Sequence, residues 1–130
     1  MARPASRHPT ELELQILKIL WQNEECSAQQ VRGRLEEEGR SLARTSVVTT
    51  LNVMTDKGLA SRSLRGKAYF FSAAVAKQDV STNMLTDLVA RVFDGSAQAV
   101  ILNLIESEQI DDEELRSLRR LINRKRKGGK

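Results

Sequence analysis

Ala43-Arg44-Thr45-Ser46-Val47-Val48-Thr49-Thr50-Leu51-Asn52-Val53-Met54-Thr55-Asp56-Lys57-Gly58 is the stretch whose reading decides the fold. Val47, Val48, Leu51 and Met54 keep helical spacing. They predict a helix that starts near Ala43 or Arg44 and stops before Gly58, a residue suited to a left-handed C-terminal position. The remaining positions are odd for a helix that needs only to be stable. Thr45, Ser46, Thr49, Thr50 and Asn52 lower helix propensity, because short polar side chains compete for the backbone. They suit a face that must donate and accept hydrogen bonds.

Past Gly58 the period changes to two. Leu59–Leu64 reads as a strand, Arg65-Gly66-Lys67 as a tight turn and Ala68–Ser72 as a second strand holding three of the chain's five aromatics. Upstream, Thr10 with Glu13 forms a capping box that opens a helix over Glu11–Gln22. Asn23–Cys26 is a polar break. Ser27 with Gln30 opens a second helix, Ala28–Glu38, that ends at Gly39. Downstream, Val80, Met84, Leu85, Leu88, Val89 and Val92 mark a helix over Lys77–Phe93, stopped by Gly95. Ser96 caps another, with Val100, Ile101, Leu102, Leu104 and Ile105. Asp111 with Glu114 caps the last, with Leu115, Leu118, Leu121 and Ile122 on one face. Arg124–Lys130 is expected to be disordered.

Composition narrows the function. The chain has 130 residues, 21 Lys+Arg against 17 Asp+Glu, one His, one Cys and a net charge of +4. No apolar run approaches the ~18 residues of a membrane span, so no membrane insertion is expected. Met1–Pro9 has no apolar segment of the secretory kind. One Cys makes neither an intrachain disulfide nor a multi-thiolate metal site, so no metal or cofactor is expected and a reducing, cytoplasmic setting fits. The charge is unevenly placed. Arg40–Ser72 holds six bases against Asp56 alone, a net +5; Asp94–Glu114 holds seven acids and no base; Arg116–Lys130 holds eight bases and no acid. The basic end also reads simply as cations complementing a helix C-terminus. The middle block coincides with the polar helix and the hairpin.

Three short helices followed by a two-stranded wing make a winged helix-turn-helix. The expected class is mainly α with a small β-hairpin. A DNA-binding domain over 1–75 precedes a helical dimerisation region with a basic tail over 76–130. In helix-turn-helix proteins the second helix of the motif enters the major groove. Arg44, Thr45, Ser46, Thr49 and Asn52 would then face bases, where Thr and Ser contact several partners and Asn pairs with adenine. Arg62, Arg65 and Lys67 on the hairpin would hold phosphates or an adjacent minor groove. The plainer alternative is a hairpin with solvated charges.

Leu42–Leu59 resembles the recognition-helix signature of the penicillinase-repressor family (BlaI/MecI/CopY type). Arg65-Gly66-Lys67-Ala68-Tyr69 resembles its wing, and Glu11–Leu17 with Leu20-Trp21 resembles its start. The resemblance covers roughly residues 9–125. It implies a homodimeric bacterial repressor on palindromic operator DNA, relieved when an upstream membrane sensor protease signals cleavage in the dimerisation region. The scissile segment resembles Val100–Ile105, with the bond after Asn103, before Leu104; Asn103 also reads as an ordinary helix residue. Two positions depart from the family. Val53 stands where many members carry Arg, and Arg44 where an aromatic or Lys is common. The family's copper-responsive branch uses C-terminal thiolates, and this chain has only Cys26.

Dimerisation also follows from size. A small chain buries a modest fraction of its surface, and apolar stripes on the last three helices would leave a large exposed patch. Leu85, Leu88, Val92, Ile101, Leu104 and Leu118 are the expected contact residues, with a compact monomer as the alternative. An enzyme is not expected, since the sole histidine, His8, lies in the polar leader and no nucleophile–base set is visible. Other readings are a ligand-sensing winged-helix regulator and a protein-interaction adaptor that binds no DNA.

Overall fold

A computed structural model describes residues 8–129. The elements run α1 (Glu11–Gln22), β1 (Cys26–Ser27), α2 (Ala28–Glu37), α3 (Arg44–Asp56), β2 (Ala60–Arg65), β3 (Ala68–Ala73), α4 (Lys77–Val92), α5 (Ala97–Glu106) and α6 (Asp112–Gly129). The fold is mainly helical with a small antiparallel sheet of order β1-β3-β2. The chain divides into two compact units, one up to Met84 and one from Leu85.

Side-chain caps fix the starts of α1 and α2. Glu13 N donates to Thr10 Oγ1 at 3.1 Å and Thr10 N to Glu13 Oε1 at 2.9 Å. Ser27 and Gln30 repeat the reciprocal pattern on α2, satisfying N–H groups that a helix start leaves unpaired. At the end of α3, Gly58 takes φ +84°. That turn lets Leu59 N donate to the Met54 carbonyl at 2.8 Å and aims the chain into β2. Gly66 takes φ +64° at the first of the two residues that join β2 to β3, the position where a tight hairpin turn of matching twist favours glycine.

The core forms where the apolar stripes converge. Ile16, Leu17 and Leu20 of α1, Val31 and Leu35 of α2, Val47, Leu51 and Met54 of α3, and Phe71 of β3 are all buried. Trp21 packs partly buried against this cluster, and its Nε1 donates to the Val75 carbonyl at 2.9 Å. The indole thus ties α1 to the segment that follows the hairpin.

Two expectations change. The break at Asn23–Cys26 holds a strand: Cys26 and Ser27 pair with Phe71 and Phe70, so the hairpin gains a third member. Ser27 ends that strand and caps α2, so the segment is too short to show a period. At the other end, Arg124–Gly129 is helical, not disordered. Arg and Lys are good helix formers, and bases suit a helix C-terminus.

In the second unit, Ser96 caps α5, with Ala99 N donating to Ser96 Oγ at 3.0 Å. Glu114 N donates to Asp111 Oδ1 at 2.8 Å to start α6. No residue of α5, and none of the described side chains of α6, is buried. Among the described residues, no single helix is long and apolar enough to cross a membrane.

Candidate nucleic-acid interface

α3 separates its residues by face. Val47, Leu51 and Met54 are fully buried and anchor it to the core. Arg44, Thr45, Ser46 and Thr49 are exposed. The other hydroxyls turn inward on the helix itself. Thr50 Oγ1 donates to the Ser46 carbonyl at 2.8 Å and Thr55 Oγ1 to the Leu51 carbonyl at 2.9 Å. Such bonds to the i−4 carbonyl satisfy a hydroxyl without a partner. The Thr/Ser-rich composition therefore resolves into an outward set and a self-satisfied set. Val53 is exposed, an apolar position beside a polar face.

The three basic wing residues are all exposed but differ in engagement. Arg62 Nη1 donates to Asn52 Oδ1 at 2.6 Å, and its guanidinium lies 4.7 Å from the centre of the Tyr69 ring. Arg65 Nη2 pairs with Glu25 Oε2 at 2.5 Å and lies 5.4 Å from the Phe70 ring. Glu25 precedes β1; its Oε1 is buried with no hydrogen-bond partner among the described residues. Lys67 makes no ion pair among the described residues. Ser27, Gln29, Arg44, Asn52, Arg62 and Lys67 help line a concavity of about 480 Å³ between the start of α2, the outer face of α3 and the wing.

Three of the six bases in the middle block, Lys57, Arg62 and Arg65, are thus engaged within the fold. Lys57 Nζ donates to both oxygens of Glu13, each at 2.9 Å. Glu13 is the buried charged residue among the described residues, and a buried carboxylate needs such a partner. Sequence reasoning missed Glu13, Glu25 and Tyr69 as partners of these cations. Each contact joins residues from separate elements, so no local spacing signals it.

Cys26 is buried, and burial pushes its thiol above the ordinary range, while Arg34 nearby acts in the opposite sense. Among the described residues no three His, Cys, Asp or Glu side chains are grouped to hold a metal ion.

The second unit places the remaining predicted residues. Leu85, Leu88, Val92, Ile101 and Leu118 are exposed, and Leu104 is half-buried. Asn103 is exposed on α5. Leu102, Ile105, Leu121 and Ile122 extend the exposed apolar surface.

Helices α1–α3 with the β2–β3 wing define a winged-helix protein. The penicillinase repressor family matches residues 9–124, and the chain belongs to it. It is a family of transcriptional repressors, not of enzymes. Among its relatives is the methicillin resistance regulatory protein MecI of Mammaliicoccus sciuri. That protein is 21% identical over 113 residues, covering 87% of this chain and 91% of the relative. The penicillinase repressor of Bacillus licheniformis is 20% identical, covering 87% of this chain and 88% of the relative. In fold, the chain is similar to RosR of H. salinarum in the complex named hsRosR-S4. The TM-score is 0.53 at 17% identity, covering 79% of this chain and 90% of that one.

Proposed function

We propose that this chain is a cytoplasmic, homodimeric repressor that grips palindromic operator DNA with α3 and the wing of each protomer. The observation that carries the reading is the two-faced α3. A buried Val47-Leu51-Met54 spine holds Arg44, Thr45, Ser46 and Thr49 outward beside a basic wing. A helix so held can present side chains to base edges without losing its own packing. Lys67 of the wing then lies on the same side for phosphates.

The exposed apolar residues of α4, α5 and α6 support a twofold interface with a second copy. Burying ~1,000 Å² of apolar surface there would contribute about 25 kcal/mol gross, before ordering costs. Relief of repression would follow cleavage after Asn103 by an upstream membrane sensor protease. α5 buries no residue within its own chain, so a protomer not yet paired with a second copy offers the segment to a protease at little cost. Cutting there would remove the avidity of two linked DNA-binding units.

A gel-shift titration against a palindromic duplex and a random duplex tests the reading. Preference for the palindrome, with two protomers bound, is expected; equal affinity for both duplexes would refute it. Mass spectrometry of induced cells tests relief, and recovery of only the intact chain would exclude cleavage.

A further inference from the structure

Asn52 of α3 and Arg62 of β2 meet at 2.6 Å, with Arg62 Nη1 as donor and Asn52 Oδ1 as acceptor. The direction is forced, because a guanidinium carries donors only and the carboxamide oxygen is the one group on Asn that accepts. Arg62 is steadied on its other side by Tyr69, whose ring centre lies 4.7 Å away. Arg62 faces Phe71 across the sheet, so Tyr69 is its diagonal neighbour, within reach of an aromatic ring. Asn52 is half-buried, whereas Arg62 and Tyr69 are exposed. The pair lines the concavity between α3 and the wing.

An asparagine reads adenine with both ends of its amide. The oxygen accepts from N6 and the nitrogen donates to N7. In this protein one of the oxygen's two lone pairs accepts from Arg62. An adenine N6 amino group brought to the other would sit beside the Arg62 donors and their positive charge, whereas the amide N–H groups of Asn52 and the remaining N–H groups of Arg62 stay available side by side. In the major groove, the purine edge made of acceptors alone is guanine, with O6 and N7. We infer that Arg62 is a specificity-determining residue: it cancels the adenine preference Asn52 would have alone and joins it in a donor pair that selects guanine. The inference rests on the reading of the α3 face as the DNA-reading surface.

The test is selection from random duplexes by the full-length protein and its variants, followed by sequencing. The wild type is expected to enrich guanine and not adenine at one position per half-site. Arg62→Ala frees the Asn52 oxygen, so adenine is expected to rise there by on the order of ten-fold. Arg62→Ala with Asn52→Ala should lose that gain. Asn52→Asp keeps an acceptor for Arg62 but removes the amide donors, so it should weaken guanine selection without adding adenine. Arg62→Ala that lowers affinity with the same base preference at every position would overturn the inference, leaving the repressor reading intact. So would a wild-type adenine preference that Asn52→Ala abolishes and Arg62→Ala leaves unchanged. Failure of the wild type to enrich any sequence would overturn both.

Discussion

Glu13 shows how one residue can serve two structures. Its carboxylate closes the α1 capping box and accepts from Lys57, which lies at the end of α3. The capping box was legible from the Thr10-to-Glu13 spacing. The ion pair was not, because Lys57 lies 44 residues away and reads as part of a basic block. Lys57→Ala would leave the Glu13 carboxylate buried without its cation. A loss of about 1–3 kcal/mol in urea unfolding is expected, with Glu13→Gln/Lys57→Ala losing less than the single change. The hydroxyls of α3 carry a similar lesson. Composition marked them as a hydrogen-bonding face, but only the fold separates Thr45 and Thr49, which point outward, from Thr50, which bonds its own helix. Thr45→Ala or Thr49→Ala is expected to relax base choice at one operator position by ~1–3 kcal/mol, read by competition with single-base variants. Thr50→Ala should leave base choice unchanged.

At the scale of elements, the wing is not a uniform set of cations. Arg65 is held by Glu25, whereas Lys67 makes no ion pair among the described residues. A phosphate must compete with Glu25 for Arg65 but meets no such rival at Lys67. Lys67→Ala, which removes one contact from each protomer, is therefore expected to reduce the slope of log K against log[salt] by ~2, and Arg65→Ala by less. Glu25→Gln should tighten binding to all sequences alike. The hairpin itself was legible from its period of two and the turn glycine. β1 was not, since two residues show no alternation, and Ser27 already reads as a helix cap. Pairing with Phe71 places Cys26 in the core. Burial raises its thiol pKa, so less thiolate forms at a given pH. Alkylation of Cys26 at pH 8 should be slower in the native protein than in denaturant; equal rates would contradict its burial.

Across the whole molecule, the two units differ in how much apolar surface they bury themselves. The first closes its own core around α1, α2, α3 and β3. The second exposes Leu85, Leu88, Val92, Ile101, Leu121 and Ile122 on its helices. That surplus of apolar surface was legible as helical stripes; what covers it was not, because no signal along one chain names the side chains opposite. Ile101→Asp is expected to convert a dimer to a monomer in sedimentation equilibrium and to lower operator affinity at least ten-fold through lost avidity. The net +4 hides these divisions. Two of the middle block's bases are held by Glu13 and Glu25, so Arg44, Arg62 and Lys67 carry most of the charge facing the concavity. The salt dependence of operator binding measures that face most directly. A dimer neutralising ~8 phosphates should show a slope near −7 in log K against log[salt] on a palindrome, with affinity well above that for random DNA. A flat salt dependence, or equal affinity for palindrome and random duplex, would contradict the account.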